Sequence, residues 1–162
     1  MPPTERPVAP PPEAADLMRR DWDLRAAENA LFFIASGASA TEETFRLSGK
    51  NDLEGAVLDG IELSPEAEAL EIGCGVGRLL VPLSEKIRAA HGVDISEVMI
   101  EKSRAFCAGH DITTVTTDGT LRDFRDGSLD FVFSFIVFQH IPERVPIRRY
   151  VEEAARLSWD SI

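Results

Sequence analysis

Three glycines at alternating positions, in the run Glu71-Ile72-Gly73-Cys74-Gly75-Val76-Gly77-Arg78, constrain this chain more than any other feature. The apolar stretch Ala69–Ile72 before them reads as a short buried strand. After them, Arg78–Ala90 reads as a helix with Leu79, Leu80, Leu83 and Ile87 turned inward. Pro82 lies near that helix start, where a missing N–H matters least. Glycine lets the backbone bend sharply and approach a ligand without interference from a Cβ, and an open helix N-terminus presents unpaired N–H groups. A nucleotide-like ligand at the carboxyl ends of the strands is the expectation. The dinucleotide spacing Gly-x-Gly-x-x-Gly fails, because Arg78 stands at its third position. What is present is Gly-x-Gly-x-Gly preceded by an acidic residue.

Strands and helices alternate beyond this point. His91–Asp94 reads as a second strand, Ser96 as an N-cap for a helix to about Cys107, and Ile112–Thr116 as a β-branched strand. Asp130–Phe135 is the most apolar strand, and Pro142–Leu157 closes the pattern as a helix. Its charges Arg148, Arg149, Glu152 and Glu153 read as a solvated face. Such alternation predicts an α/β domain: a parallel sheet with helices on both faces. It should occupy residues 63–162, after the boundary at Ser64-Pro65. Six of the ten prolines lie within residues 1–12, which predicts an extended tail. Residues 13–62 read as a helical extension, with a long helix over Glu13–Ser36 stopped by Gly37 and a short one over Asp52–Leu58.

Charge and composition narrow the partners. The 162 residues carry a formal charge of −11, which argues against nucleic acid and against anionic membrane surfaces. A hydrophobic fraction of 44% suffices for a core. The longest apolar run, around Leu129–Phe138, is too short and too interrupted for a spanning helix. Cys74 and Cys107 have no metal-ligand spacing and are too few for a disulfide framework, so a reducing, cytoplasmic setting is expected and no metal site.

Several residues admit two readings each. Asp94, ending the second strand, suits two ribose hydroxyls or a helix cap beside Ser96. Asp118 before Gly119 suits a ligand contact or a turn. Cys74 reads as small packed filler, since nothing adjacent would lower its pKa. His140, after the fourth strand, suits a general base or a structural hydrogen bond before Pro142. Trp22 suits core packing or a ligand contact. Ribose, adenine and a cation fit these acidic surroundings better than a pyrophosphate does.

From about Leu70 to Leu157 the chain resembles class I S-adenosylmethionine-dependent methyltransferases of the type 11 kind. Four stretches carry the likeness: EIGCGVGRLLVPL, GVDISEVMIEKSR, TTDGTLRDFRDGSLDFVFSFIVFQHIP and YVEEAARL. The resemblance implies a Rossmann-like sheet in the order 3-2-1-4, S-adenosylmethionine as cofactor, and a small-molecule methyl acceptor. It implies that Glu71, Gly73, Cys74, Gly75 and Gly77 line the methionine and ribose side. Asp94 would hold the ribose, Ile95 and Met99 the adenine ring, and Asp118 with Gly119 the adenine amino edge. Phe135–His140 would pass beneath the cofactor, and the helix bearing Trp22 and Arg25 resembles a lid. The family continues past its last helix here with a Pro-Gly-Gly turn and three more strands. Arg156–Ile162 does not, so the expectation is a truncated domain, active or reduced to a non-catalytic binding fragment. Its fourth strand becomes an edge able to pair with another chain.

Overall fold

The computed structural model describes residues 12–34, 41–141 and 143–158. The proline-rich segment 1–11 and Gly37 lie outside them. Four parallel strands form the sheet: β1 (Glu68–Ile72), β2 (Ala89–Asp94), β3 (Ile112–Thr116) and β4 (Phe131–Phe133). Their order is β3-β2-β1-β4, with Glu71 opposite Gly92 on one side and Phe133 on the other. This is the Rossmann-like order expected. Helices α1 (Pro12–Ile34), α2 (Glu42–Asp52), α3 (Leu80–Ser84), α4 (Glu97–Phe106) and α5 (Arg144–Ser158) surround it.

Parallel strands need both faces covered, and β1 supplies a face to each side. Leu70 and Ile72 pack toward Tyr150 and Leu157 of α5. Ala69 packs toward Leu80 and Leu83 of α3 and Ile100 of α4. A third cluster joins α1 and α2 to this body, with Ala26, Ala30, Phe45 and Met99 buried together around Val76.

The structure corrects several boundaries. The helix expected over Arg78–Ala90 is only Leu80–Ser84, because Arg88 and Ala89 turn their amides onto the Ala67 carbonyl and start β2 early. Strand β4 ends at Phe133, two residues before its expected limit. The short helix at Asp52–Leu58 is a wide π turn, Leu53–Val57, continuing from α2. Helix α2 itself carries a weak apolar pattern, and its signal is local. Thr41 caps Thr44 and Thr44 caps Thr41 in return, with Glu42 and Glu43 in the first turn. Gly49 lets α2 approach the main chain, since a Cβ there would lie 2.4 Å from the Arg78 carbonyl oxygen. The charged face assigned to α5 is half wrong. Arg149 and Glu153 are buried, and Glu153 accepts the Leu121 amide at 2.5 Å.

Phe45 is fully buried under Arg78 and Phe106. Phe45→Ala should cost about 3–5 kcal/mol. Urea unfolding measures it; a loss under ~1 kcal/mol would show that α2 is not part of the cooperative core.

Candidate functional site

The glycine bend leaves β1 with Gly73, Gly75 and Gly77 all at positive φ (76°, 54° and 87°), where a side chain would be strained. Its amides are largely engaged within the fold. Gly73 and Cys74 donate to the Val93 carbonyl at 2.7 and 3.0 Å, and Gly77 donates to Cys74. Gly75 donates to Asp94 Oδ2 at 2.9 Å. The expectation of open amides at a helix N-terminus is therefore corrected, because α3 starts only at Leu80 and the bend bonds to β2 instead. Gly77 serves packing: a Cβ there would meet Cys107 Sγ at 2.4 Å.

Above the bend lies a cavity of about 490 Å³, within the range of small-molecule sites. Ten of the expected residues line it: Trp22, Glu71, Gly73, Cys74, Gly75, Asp94, Ile95, Met99, Phe135 and His140. Four do not. Gly77 faces Cys107. Arg25 pairs with Asp21 at 3.0 Å and lies over the Trp22 and Phe33 rings, where it borders an adjoining cleft. Asp118 bonds to Thr120 and Arg122, so its carboxylate is turned into its own loop, and Gly119 stays with it. Thr117 of that turn reaches the cavity instead, as does Tyr150 from α5. Neither was expected from sequence, because Tyr150 sits in a run that otherwise looks like charged helix surface.

Two carboxylates dominate the electrostatics. Asp94 takes the Gly75 amide on one oxygen and the Ser96 amide on the other, each at 2.9 Å. A carboxylate has room for about four donors, so both oxygens retain capacity. Burial pushes its pKa up, and the Ser96, Gly75 and Ile95 amides offset part of that. Glu71 is buried, and its Oε2 has no hydrogen-bond partner. Burial holds its carboxyl well above the ordinary 4.5, with the Arg78 guanidinium pulling the other way. Arg78 is anchored to Asp52 at 2.6 Å and Ser48 at 3.1 Å of α2, while its Nε is unpartnered. Burial and nearby carboxylates keep the Tyr150 phenol neutral. Burial raises the Cys107 thiol to about 11 and the Cys74 thiol well above its usual range, so neither is an activated nucleophile.

With this geometry in place, likeness to known proteins decides the family. Residues 69–158, more than half of the chain, match the methyltransferase domain family. The chain belongs to this family. Its members use S-adenosylmethionine. The chain is 32% identical over 95 residues to nocamycin O-methyltransferase of Saccharothrix syringae, covering 53% of this chain and 34% of that one. It is 24% identical to an uncharacterized 37.1 kDa protein in transposon TN4556 of Streptomyces fradiae, over 98% of this chain and 50% of that one. The chain thus spans about a third to a half of the length of these relatives. The fold matches the phosphoethanolamine N-methyltransferase 1 of Haemonchus contortus, solved with phosphoethanolamine and S-adenosylhomocysteine. That match has a TM-score of 0.71 at 21% identity, covering 88% of this chain and 29% of that one. Among the described residues, no helix of the methyltransferase domain is long and apolar enough to cross a membrane.

The raised Glu71 pKa gives a signed pH effect. The folded state keeps this proton above pH 4.5 while the unfolded state releases it, so the Glu71 contribution falls as pH rises toward the folded pKa. Glu71→Gln mimics the protonated carboxyl. Urea midpoints of the two proteins should coincide near pH 4 and diverge above it in favour of Gln; a constant difference across pH would contradict the buried-proton account.

Proposed function

We propose that this domain binds S-adenosylmethionine in the cavity above the glycine bend and transfers its methyl group to a small-molecule acceptor. The observation that carries this reading is Asp94, bonded to the bend through Gly75 and still able to accept two hydroxyl donors. The chemical fit is direct. The buried Glu71 oxygen that lacks a hydrogen-bond partner offers an acceptor to an ammonium group, and Arg78 lines the same cavity. Ile95 and Met99 offer an apolar surface for a purine ring, beside the Thr117 side. Cys74 lines the cavity as a residue while its thiol packs toward Gly92 and the core beside α3. Asp118 is left out of the grip because Arg122 holds it elsewhere.

When bound, the cofactor supplies a methyl group on a positively charged sulfur. The residues of this chain orient and enclose. Phe135 and Tyr150 line the cavity, and Trp22, Phe33 and Ile34 bring α1 to its wall, where we assign the helix the part of a lid. Holding donor and acceptor at near-attack geometry with water excluded supplies about 7–11 kcal/mol in favourable cases. His140 is half of an edge-to-face pair with Trp22, ring centroids 5.5 Å apart, and borders both the cavity and an adjoining cleft of about 350 Å³. That cleft is the route we assign to the acceptor, and His140 is the group best placed to take a proton from it. A cytoplasmic setting belongs to the same reading, supported by two buried free thiols.

Calorimetric titration with S-adenosylmethionine tests the assignment. Asp94→Ala should weaken binding by about 1–3 kcal/mol through lost charge-assisted hydrogen bonds; an unchanged affinity would remove Asp94 from the site.

The edge position of β4 favours a second reading, in which the sheet is extended by another chain. Phe131, Val132 and Phe133 are only half-buried, and among the described residues β4 pairs with β1 alone. Sedimentation should show mass rising with concentration; a monomer throughout would leave the edge unpaired.

A further inference from the structure

Helix α1 is attached to the cavity rim by two polar contacts that packing alone does not require. The Ser96 hydroxyl donates to Asp23 Oδ1 at 2.5 Å, and Arg19 Nε donates to the Ile95 carbonyl at 3.3 Å. Ser96 is fully buried and already caps α4 by accepting the Met99 amide at 3.1 Å. Asp23 is thus not needed to satisfy that amide. Its carboxylate instead fixes the Ser96 hydroxyl and sits 3.4 Å from the Val98 amide, where the positive end of α4 favours an anion.

The contact continues into the site. Ser96 donates its amide to Asp94 Oδ1, and Gly75 donates to Asp94 Oδ2. Asp23, Ser96, Asp94 and Gly75 therefore form one unbroken hydrogen-bonded line from the lid helix to the bend. On α1 the neighbouring residue is Trp22, which lines the cavity. Seven residues after Trp22, Asn29 leaves helical geometry (φ −162°, ψ 88°), and its side chain restarts the helix by accepting the Phe32 amide at 3.1 Å. The restarted turn brings Ile34 against Gly75, where its Cδ1 lies 2.9 Å from the place a Cβ would take.

We propose that Asp23 is a positioning residue: it latches α1 to the N-terminus of α4, so that closing Trp22 over the cavity and gripping a ligand with Asp94 are one coupled event. This rests on the cavity being the S-adenosylmethionine site. The latch acts through Ser96 and never touches the ligand. Because Asp23 also opposes the charge of Asp94, the conservative variant separates the hydrogen bond from the charge.

The test uses the full chain carrying Trp159→Phe, which leaves Trp22 as the single tryptophan. Acrylamide quenching of Trp22 is read without ligand, and calorimetry reads S-adenosylmethionine affinity, at a urea-verified folded population. Asp23→Ala should raise Trp22 quenching and weaken S-adenosylmethionine binding about tenfold. Asp23→Asn keeps an acceptor oxygen and should stay within about threefold of the parent. Ser96→Ala breaks the same contact from the other side and should expose Trp22 likewise, which covers the case of an unstable Asp23 variant. Unchanged Trp22 quenching in both alanine variants overturns the latch, as does unchanged affinity in Asp23→Ala when the parent binds. If the parent binds no S-adenosylmethionine, the cofactor reading fails, and the coupling to ligand fails with it. Trp22 exposure then still reports separately whether the contact holds α1 down.

Discussion

The Gly75 amide donating to the Asp94 carboxylate joins the first βα turn to the end of the neighbouring strand. Nearly everything in the site is organised around that bond. It requires a positive φ at Gly75, which only glycine adopts at little cost. It requires β1 and β2 to be adjacent and parallel, so that the bend and Asp94 emerge at the same end of the sheet. It draws a carboxylate into a partly dry cavity and keeps it there by two amides rather than by a cation. A cavity lined by carboxyl and aromatic groups follows, with Arg78 tied to Asp52 of α2.

That arrangement also sets the division of labour in this methyltransferase domain. The sheet end brings Glu71 and Asp94 to the cavity, and the apolar part of its lining comes from α1 and from the Phe135–Ile141 segment. Within that segment Ile136 has φ 56°, unusual for a β-branched residue, and its side chain is exposed at the cavity wall. Such strain persists only where surroundings over-determine it. Here the chain must leave β4 at Phe133, pass Val137 over Gly73 and enter the turn Phe138–His140 within a few residues.

What was legible in the sequence follows from what is local. Alternating glycines, the N-cap Ser96 and the β-branched strand β3 each declare themselves within a handful of residues. The order β3-β2-β1-β4 came from likeness to a family, since periodicity gives strands without their neighbours. The misses arise where tertiary contacts overrode local preference. Arg78–Ala90 has a helical apolar pattern, yet Ala67 captures the amides of Arg88 and Ala89 and ends the helix early. Helix α2 shows few apolar residues because it is held by Phe45 and by the buried Arg78 contact to Ser48 and Asp52. Asp118 lies outside the cavity lining, with its carboxylate paired to Arg122 four residues on in the same turn, a contact as local as the spacing that suggested a ligand. Tyr150 and Thr117 reach the cavity only because α5 and the turn after β3 converge there, which no single window of sequence contains.

One cavity, framed by the glycine bend and Asp94, is the proposed seat of an adenosyl ligand. A crystal structure of the chain grown with S-adenosylhomocysteine tests it most directly. The sugar hydroxyls should lie on Asp94 and the amino-acid end near Glu71, with Ile34 displaced or repacked beside Gly75. A ligand bound elsewhere, or Asp94 pointing away from the sugar with Ile34 and Val137 still sealing the bend, would contradict it.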